Sequence, residues 1–368
     1  MRVAGIVGRD REMAAVAAFL DGVPSGPCGL VLEGAAGIGK TTVWRAGAAR
    51  AAERSYTVLS CRPAESEATL SFAALGDLLD GVLDQALPLL PPPQRRALEV
   101  ALLLADPVGS PPESRAVAVA FLTVVRHLSE SRPVVLAVDD LQWLDDPSAR
   151  VVEFALRRLR GERAGLLASA RDREDGRRTA SIGLPTARLT RLRVGPLSFG
   201  AFESAVRATA GPGLSRLTIR RLFDASGGNP FYGLELARAS QRAGAEPSPE
   251  EPLPVPTDLA GVLSGRLAAL PAGARDALLV AACLRSPTTM MLEQASGPGA
   301  LAALQTPSGQ GVVEVEGARV RFTPPVCLGD LLGHAAGAAA GGSPAAGRDR
   351  PEREGAGPPS CPVLRRPG

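Results

Sequence analysis

Residues Gly34-Ala35-Ala36-Gly37-Ile38-Gly39-Lys40-Thr41 fit the pattern G-x-x-x-x-G-K-[ST] at every fixed position. No other stretch restricts the fold as strongly, because the pattern functions only between a strand and a helix. The flanks suit both: the apolar run Leu30-Val31-Leu32 leads in, and Thr42-Val43-Trp44-Arg45-Ala46 follows. Glycines allow backbone N–H groups to turn inward around an anion, and a helix opening near Lys40 aims its positive dipole end at the same point. In that geometry the Lys40 ammonium reaches phosphate oxygens and the Thr41 hydroxyl ligates Mg²⁺. The predicted contact set is Gly34, Ala35, Ala36, Gly37, Ile38, Gly39, Lys40, Thr41 and Thr42. Lys40 is also the only lysine in the chain; every other one of the 41 basic side chains is arginine.

A second stretch completes the chemistry. Val134-Val135-Leu136-Ala137-Val138 is an unbroken apolar run, which predicts a strand buried on both faces, and it ends in Asp139-Asp140. Parallel α/β sheets place ligand chemistry at this end of their strands. Asp139 fits the position that holds Mg²⁺ directly or through its waters, and Asp140 the position of a general base on an attacking water. Arg171 stands at the tip of the next predicted strand, Gly165 to Ala170, as either a γ-phosphate contact or an ordinary loop arginine. Further strands are expected at about Gly29–Glu33, at Tyr56–Cys61 and at Leu189–Val194. Helices are expected between them, from Met13 to Leu20, after Lys40, over Leu70–Leu83, from Pro91 to Leu104, over Ala116–Leu128 and after an Asp145 cap. Strands alternating with helices predict a doubly wound α/β domain.

The chain of 368 residues is long enough for two or three domains. A P-loop core is expected over 1–195, a helical lid over 196–245, a proline-rich linker over 246–256 and a small winged-helix-like module over 257–326. The last ends in a hairpin around Gly317. Low bulk and Ala/Gly/Pro/Arg repeats predict disorder over 327–368. A net charge of +3 is too small for nucleic-acid binding through bulk electrostatics, and the predicted helix at Ala274–Leu284 carries only Arg275, beside Asp276, so no direct DNA binding is expected. Five scattered cysteines without a C-x-x-C spacing read as reduced thiols. With no signal-like start and no long uncharged apolar run, the expected location is cytoplasmic, away from the membrane.

Four segments occur in one order: Val7-Gly8-Arg9-x-x-Glu12, the glycine-rich loop, Val138-Asp139-Asp140-Leu141-Gln142-Trp143-Leu144-Asp145, and Gly227-Gly228-Asn229-Pro230-Phe231-Tyr232. Together they resemble the N-terminal ATPase region of large ATP-binding LuxR-type transcriptional regulators, which are AAA+-related signal-transduction ATPases of the STAND, MalT-like kind. The resemblance spans roughly residues 5–323. It implies a sheet of order 5-1-4-3-2, ATP and Mg²⁺ as cofactors, and Arg9 near the adenine or phosphates. It implies Pro230 packed on the adenine side of a lid. It further implies slow hydrolysis to ADP and nucleotide-dependent self-association, or association with full-length relatives. Sensor repeats and a helix-turn-helix have no counterpart here. The pattern is lost after Thr323, and a truncated or frameshifted member is the expectation; a non-hydrolysing nucleotide- or partner-binding remnant is the alternative.

Overall fold

The computed structural model describes residues 6–106, 114–171, 182–242, 270–283, 288–297, 299–305, 313–316 and 318–322. Its centre is a sheet of five parallel strands: β1 (Cys28–Gly34), β2 (Thr57–Cys61), β3 (Val134–Val138), β4 (Ala164–Arg171) and β5 (Leu189–Arg193). Their spatial order is β2-β3-β4-β1-β5. Read from the other edge, this is the 5-1-4-3-2 order implied by the resemblance. All five residues of β3 are buried, as its unbroken apolar sequence predicts.

Side chains alternate across each strand, and this divides the core into two layers. Leu30 and Leu32 of β1 face α1 (Asp10–Gly22) and α2 (Lys40–Glu53), packing with Val16, Leu20, Val43 and Trp44. Val31 and the outward residues of β2 to β4 face the other layer. That layer holds α3 (Ala73–Leu79), α4 (Leu83–Ala86), α5 (Pro92–Ala101), α6 (Ser114–Ser131) and α7 (Asp146–Arg158). Phe121 of α6 and Leu156 of α7 are fully buried there.

The expected helix over 70–83 is shorter than its apolar spacing suggests. Phe72 takes a left-handed conformation before α3, and Gly81, at φ 76°, ends the segment between α3 and α4. One carboxylate organises this corner. Asp145 caps α7 by accepting from Ser148 N at 2.9 Å, and it also accepts from Phe72 N at 2.9 Å and Ala74 N at 3.2 Å. The Ser148 hydroxyl accepts from Leu75 N. Two helix starts therefore share one buried carboxylate, which satisfies donors that would otherwise be orphaned.

Residues 196–242 divide into three helices: α8 (Phe199–Ala210), α9 (Arg216–Ser226) and α10 (Pro230–Arg242). Gly227 and Gly228, both at positive φ, make the break before α10. Beyond them lie α11 (Ala272–Cys283), α12 (Thr289–Ser296), α13 (Ala300–Ala303) and the antiparallel hairpin β6 (Val313–Glu316) with β7 (Arg319–Phe322). A single apolar cluster runs from Leu197 through Phe202, Leu222, Leu236 and Leu278 to Val313 and Val320. The predicted linker over 246–256 and the predicted tail over 327–368 lie outside the described residues. Among the described residues no helix is long and apolar enough to cross a membrane.

Candidate functional site

The glycine-rich loop joins the C-terminal end of β1 to the start of α2. Gly37 (φ 75°) and Gly39 (φ 104°) occupy left-handed conformations that let the backbone curl, and Gly39 caps α2. Lys40 is buried, and its ammonium donates to the carbonyls of Gly34 and Ala35, each at 2.9 Å. The side chain thus lies back along the rim of the loop, where an anion would meet it. Thr42 is exposed on the first turn of α2.

β3 lies two strands from β1, with β4 between them. It brings Asp139 to the loop: Thr41 Oγ1 donates to Asp139 Oδ1 at 3.2 Å, across 98 positions of sequence. Asp139 is 2% exposed. Its Oδ1 also accepts from Ser169 Oγ at 2.5 Å, and Arg62 Nε stands 3.5 Å from its Oδ2. Asp140 sits in a left-handed conformation, which aspartate tolerates better than most residues. Its N–H donates to the same Ser169 hydroxyl at 2.8 Å, and its carboxylate accepts from Gln142 Nε2 at 2.7 Å. Gln142 Oε1 in turn accepts from the Arg171 backbone at 3.2 Å. Arg171 pairs in register with Gly34, so it shares the rim of the sheet with the loop; its guanidinium lies over the Trp143 ring at 5.4 Å.

The donor set suits Mg²⁺ in its usual shared form. It offers one hydroxyl and one carboxylate, both oxygen ligands, and leaves the remaining positions to phosphate and water. Among the described residues no group of three His, Cys, Asp or Glu gathers to hold a metal unaided. An ion here would complete its coordination with phosphate and water.

Arg9 is 4% exposed. Its guanidinium donates to Glu12 Oε1 at 3.1 Å, Gly195 O at 2.7 Å and Ile38 O at 2.5 Å. It braces the loop through a backbone carbonyl and ties it to the chain leaving β5. Pro230 opens α10 beside them: a Cβ built on Gly39 would stand 3.5 Å from Arg9 Nη2 and 3.9 Å from Pro230 Cγ. Close approach at Gly8 holds the same assembly, since a Cβ there would stand 2.2 Å from the Ala201 Cβ of α8.

The structure therefore brings Lys40, Thr41, Asp139, Asp140 and Arg171 to one rim, with Arg9 and Pro230 on the flank of the loop. Sequence reasoning assigned no site role to Ser169, Arg62, Gln142 or Asn229, although the last two stand inside segments that carry the resemblance. Ser169 had a readable signal, a lone hydroxyl in the apolar run Leu166-Leu167-Ala168-Ser169-Ala170. Arg62, just past the end of β2, carries no such signal.

Comparison with known proteins fits this geometry. Residues 5–168 match the family model of the AAA ATPase domain. The matched stretch holds the glycine-rich loop, Asp139 and Asp140, and ends at β4. No curated protein matches the chain. A Walker-type ATPase of Pyrococcus abyssi superimposes with a TM-score of 0.57 at 14% identity, over 89% of this chain and 96% of the other. The ORC2 protein of Aeropyrum pernix, solved in ADPNP–ADP complexes, gives 0.53 at 15% identity, over 92% and 96%. At such identities the likeness is one of fold: an α/β core of the P-loop kind with helices behind it.

Proposed function

We propose that this chain binds ATP with Mg²⁺ at the Gly34–Thr41 loop and hydrolyses it slowly to ADP and phosphate, as a nucleotide-dependent switch. The observation that carries the reading is the Thr41–Asp139 contact at 3.2 Å beside the buried Lys40. It puts the three side chains such chemistry requires at the mouth of one anion-directed helix. Lys40 would leave its loop carbonyls for phosphate oxygens. Mg²⁺, when bound, would neutralise charge on the phosphates. Asp139 would hold the ion's coordination sphere, and Asp140 would orient the attacking water as general base. Arg171 is assigned to the γ-phosphate side of the rim. Arg9 and Pro230 are assigned to the loop flank and adenine side, respectively.

The four ordered segments support the finer reading: the ATPase part of a LuxR-type, STAND-class regulator, with a core over 1–195, a lid over 196–245 and a winged-helix-like module over 257–326. Nucleotide-dependent self-association and a cytoplasmic setting go with it. A second reading, binding without turnover, draws on one observation: the Asp140 carboxylate is engaged by Gln142.

Fluorescent ATP binding and phosphate release on the full chain test both readings. Lys40→Ala is expected to abolish binding. Asp140→Asn is expected to bind as the wild type does and lose turnover. Equal binding by wild type and Lys40→Ala would sink the site assignment, and wild-type binding with no phosphate release would select the second reading.

A further inference from the structure

All carbonyl oxygens from Gly34 to Ile38 accept a hydrogen bond. Lys40 supplies those on Gly34 and Ala35. The other three donors come from outside the loop: Asn229 Nδ2 to Ala36 O at 3.0 Å, Phe231 N to Gly37 O at 3.3 Å, and Arg9 Nη2 to Ile38 O at 2.5 Å. Two of the three belong to the start of α10. The Asn229 amide is unambiguous in orientation, because a carbonyl can only accept and an N–H can only donate. Its Nδ2 meets Ala36 O, and its Oδ1 accepts from Phe231 N at 3.1 Å. Asn229 is 8% exposed, and its own carbonyl accepts from Gly233 N, the first helical bond of α10.

In a planar trans peptide the C=O of one residue and the N–H of the next point in opposite directions. Gripping the carbonyls of Ala36 and Gly37 from the α10 side therefore sets the rotation of two peptide planes of the anion-binding turn; the first carries the Gly37 N–H, and the second the Ile38 N–H, which donates to Ala35 O at 3.3 Å. Glycine at 37 makes the grip possible: a Cβ there would lie 2.7 Å from the Phe231 Cβ, at a φ of 75°.

We propose that Asn229 is a positioning residue for bound nucleotide, through which α10 holds the Ala36–Gly37 peptide plane and slows nucleotide release. The proposal rests on the nucleotide-site reading above. It separates two jobs of one side chain. Capping α10 uses Oδ1, which aspartate reproduces. Holding Ala36 uses Nδ2, which aspartate replaces with a second oxygen facing a carbonyl.

The test loads the full chain with a fluorescent methylanthraniloyl ADP and measures its release against excess unlabelled ADP, with thermal unfolding alongside. Asn229→Asp is expected to stay folded, with a thermal midpoint lowered by the one lost contact, and to release the probe about tenfold faster, the order of one lost hydrogen bond. Asn229→Ala is expected to release it at least as fast. Release from Asn229→Asp at the wild-type rate would overturn the proposal and leave the residue as a helix cap. Wild type and Lys40→Ala holding the probe equally well would overturn the underlying site reading, a separate outcome. Should Asn229→Ala fail to fold, the aspartate variant still decides the matter.

Discussion

At the scale of single residues, one hydroxyl holds both acidic side chains of the site in place. Ser169 donates to Asp139 and accepts from the Asp140 backbone, so it fixes the direction in which β3 ends. Asp77 of α3 stands in a group of like charge. Burial raises the Asp77 carboxyl above its ordinary range, and the neighbouring Glu67 and Asp80 charges raise it further. A raised acid favours the protonated form in the folded chain. Its contribution to stability is therefore complete in acid, below the unfolded value, and is lost as pH rises through the folded one. Asp77→Asn is expected to stabilise the protein near neutral pH and give no gain in acid. The side chain is largely exposed, so solvent screening limits the gain to roughly 0.3 kcal/mol. Thermal midpoints of both proteins across the acid range check this; an equal gain at every pH would refute the charge explanation. The loop Gly34–Thr41 and the pair Asp139-Asp140 were legible in sequence because each is a local pattern with its own physical logic. The partners of Arg9 and Asn229 were not, since Ile38 lies 29 positions from the first and Ala36 lies 193 from the second.

At the scale of elements, helix starts carry much of the architecture. Asp145 serves α7 and the approach to α3 together, and it follows the turn that leaves Asp139 and Asp140. Asp145→Ala strips three backbone donors at once and is expected to cost about 3 kcal/mol, more than a single cap, read from the urea midpoint. The cap on α7 was legible from Asp145-Asp146-Pro147-Ser148. The reach to Phe72 and Ala74 was not, because a backbone N–H leaves no mark on the sequence. Packing on the far side turns on another small residue. A Cβ on Gly233 of α10 would stand 2.1 Å from the fully buried Phe202 ring of α8. That ring also packs edge-on against Phe223 of α9 at 5.4 Å. Gly233→Ala is expected to destabilise by about 2 kcal/mol through overpacking, despite the better helix propensity of alanine. Chemical denaturation measures it, and a stabilised variant would show that the three helices slide freely.

At the scale of the whole molecule, a five-stranded parallel core and one apolar cluster spanning α8 to β7 meet at the glycine-rich loop. Strand positions were readable from apolar runs, but their order was not a property of any run. It came from the resemblance of four ordered segments, and the sheet has that order. The stretch expected to be helical over 196–245 divides, as far as residue 242, into three helices, because Gly211 and Gly227 at positive φ end helices that apolar spacing alone would continue. With loop and helices joined, nucleotide that binds the folded chain alone stabilises it by mass action. At a concentration about one hundred times its dissociation constant the gain is about 2.7 kcal/mol. A rise in thermal midpoint with Mg²⁺ and ATP is expected for wild type and not for Lys40→Ala; an unmoved wild type would contradict nucleotide binding.

The buried Lys40 has a practical corollary for chemistry on this protein. A chain with one lysine offers amine-directed reagents a single side-chain address, and here that address is the anion cradle itself. Apart from the terminal α-amine, acylating labels, amine cross-linkers and reductive methylation would all report on one side chain. Protection of that amine is thus a built-in gauge of whether the cradle is filled, and surface immobilisation through lysine would block the very site under study.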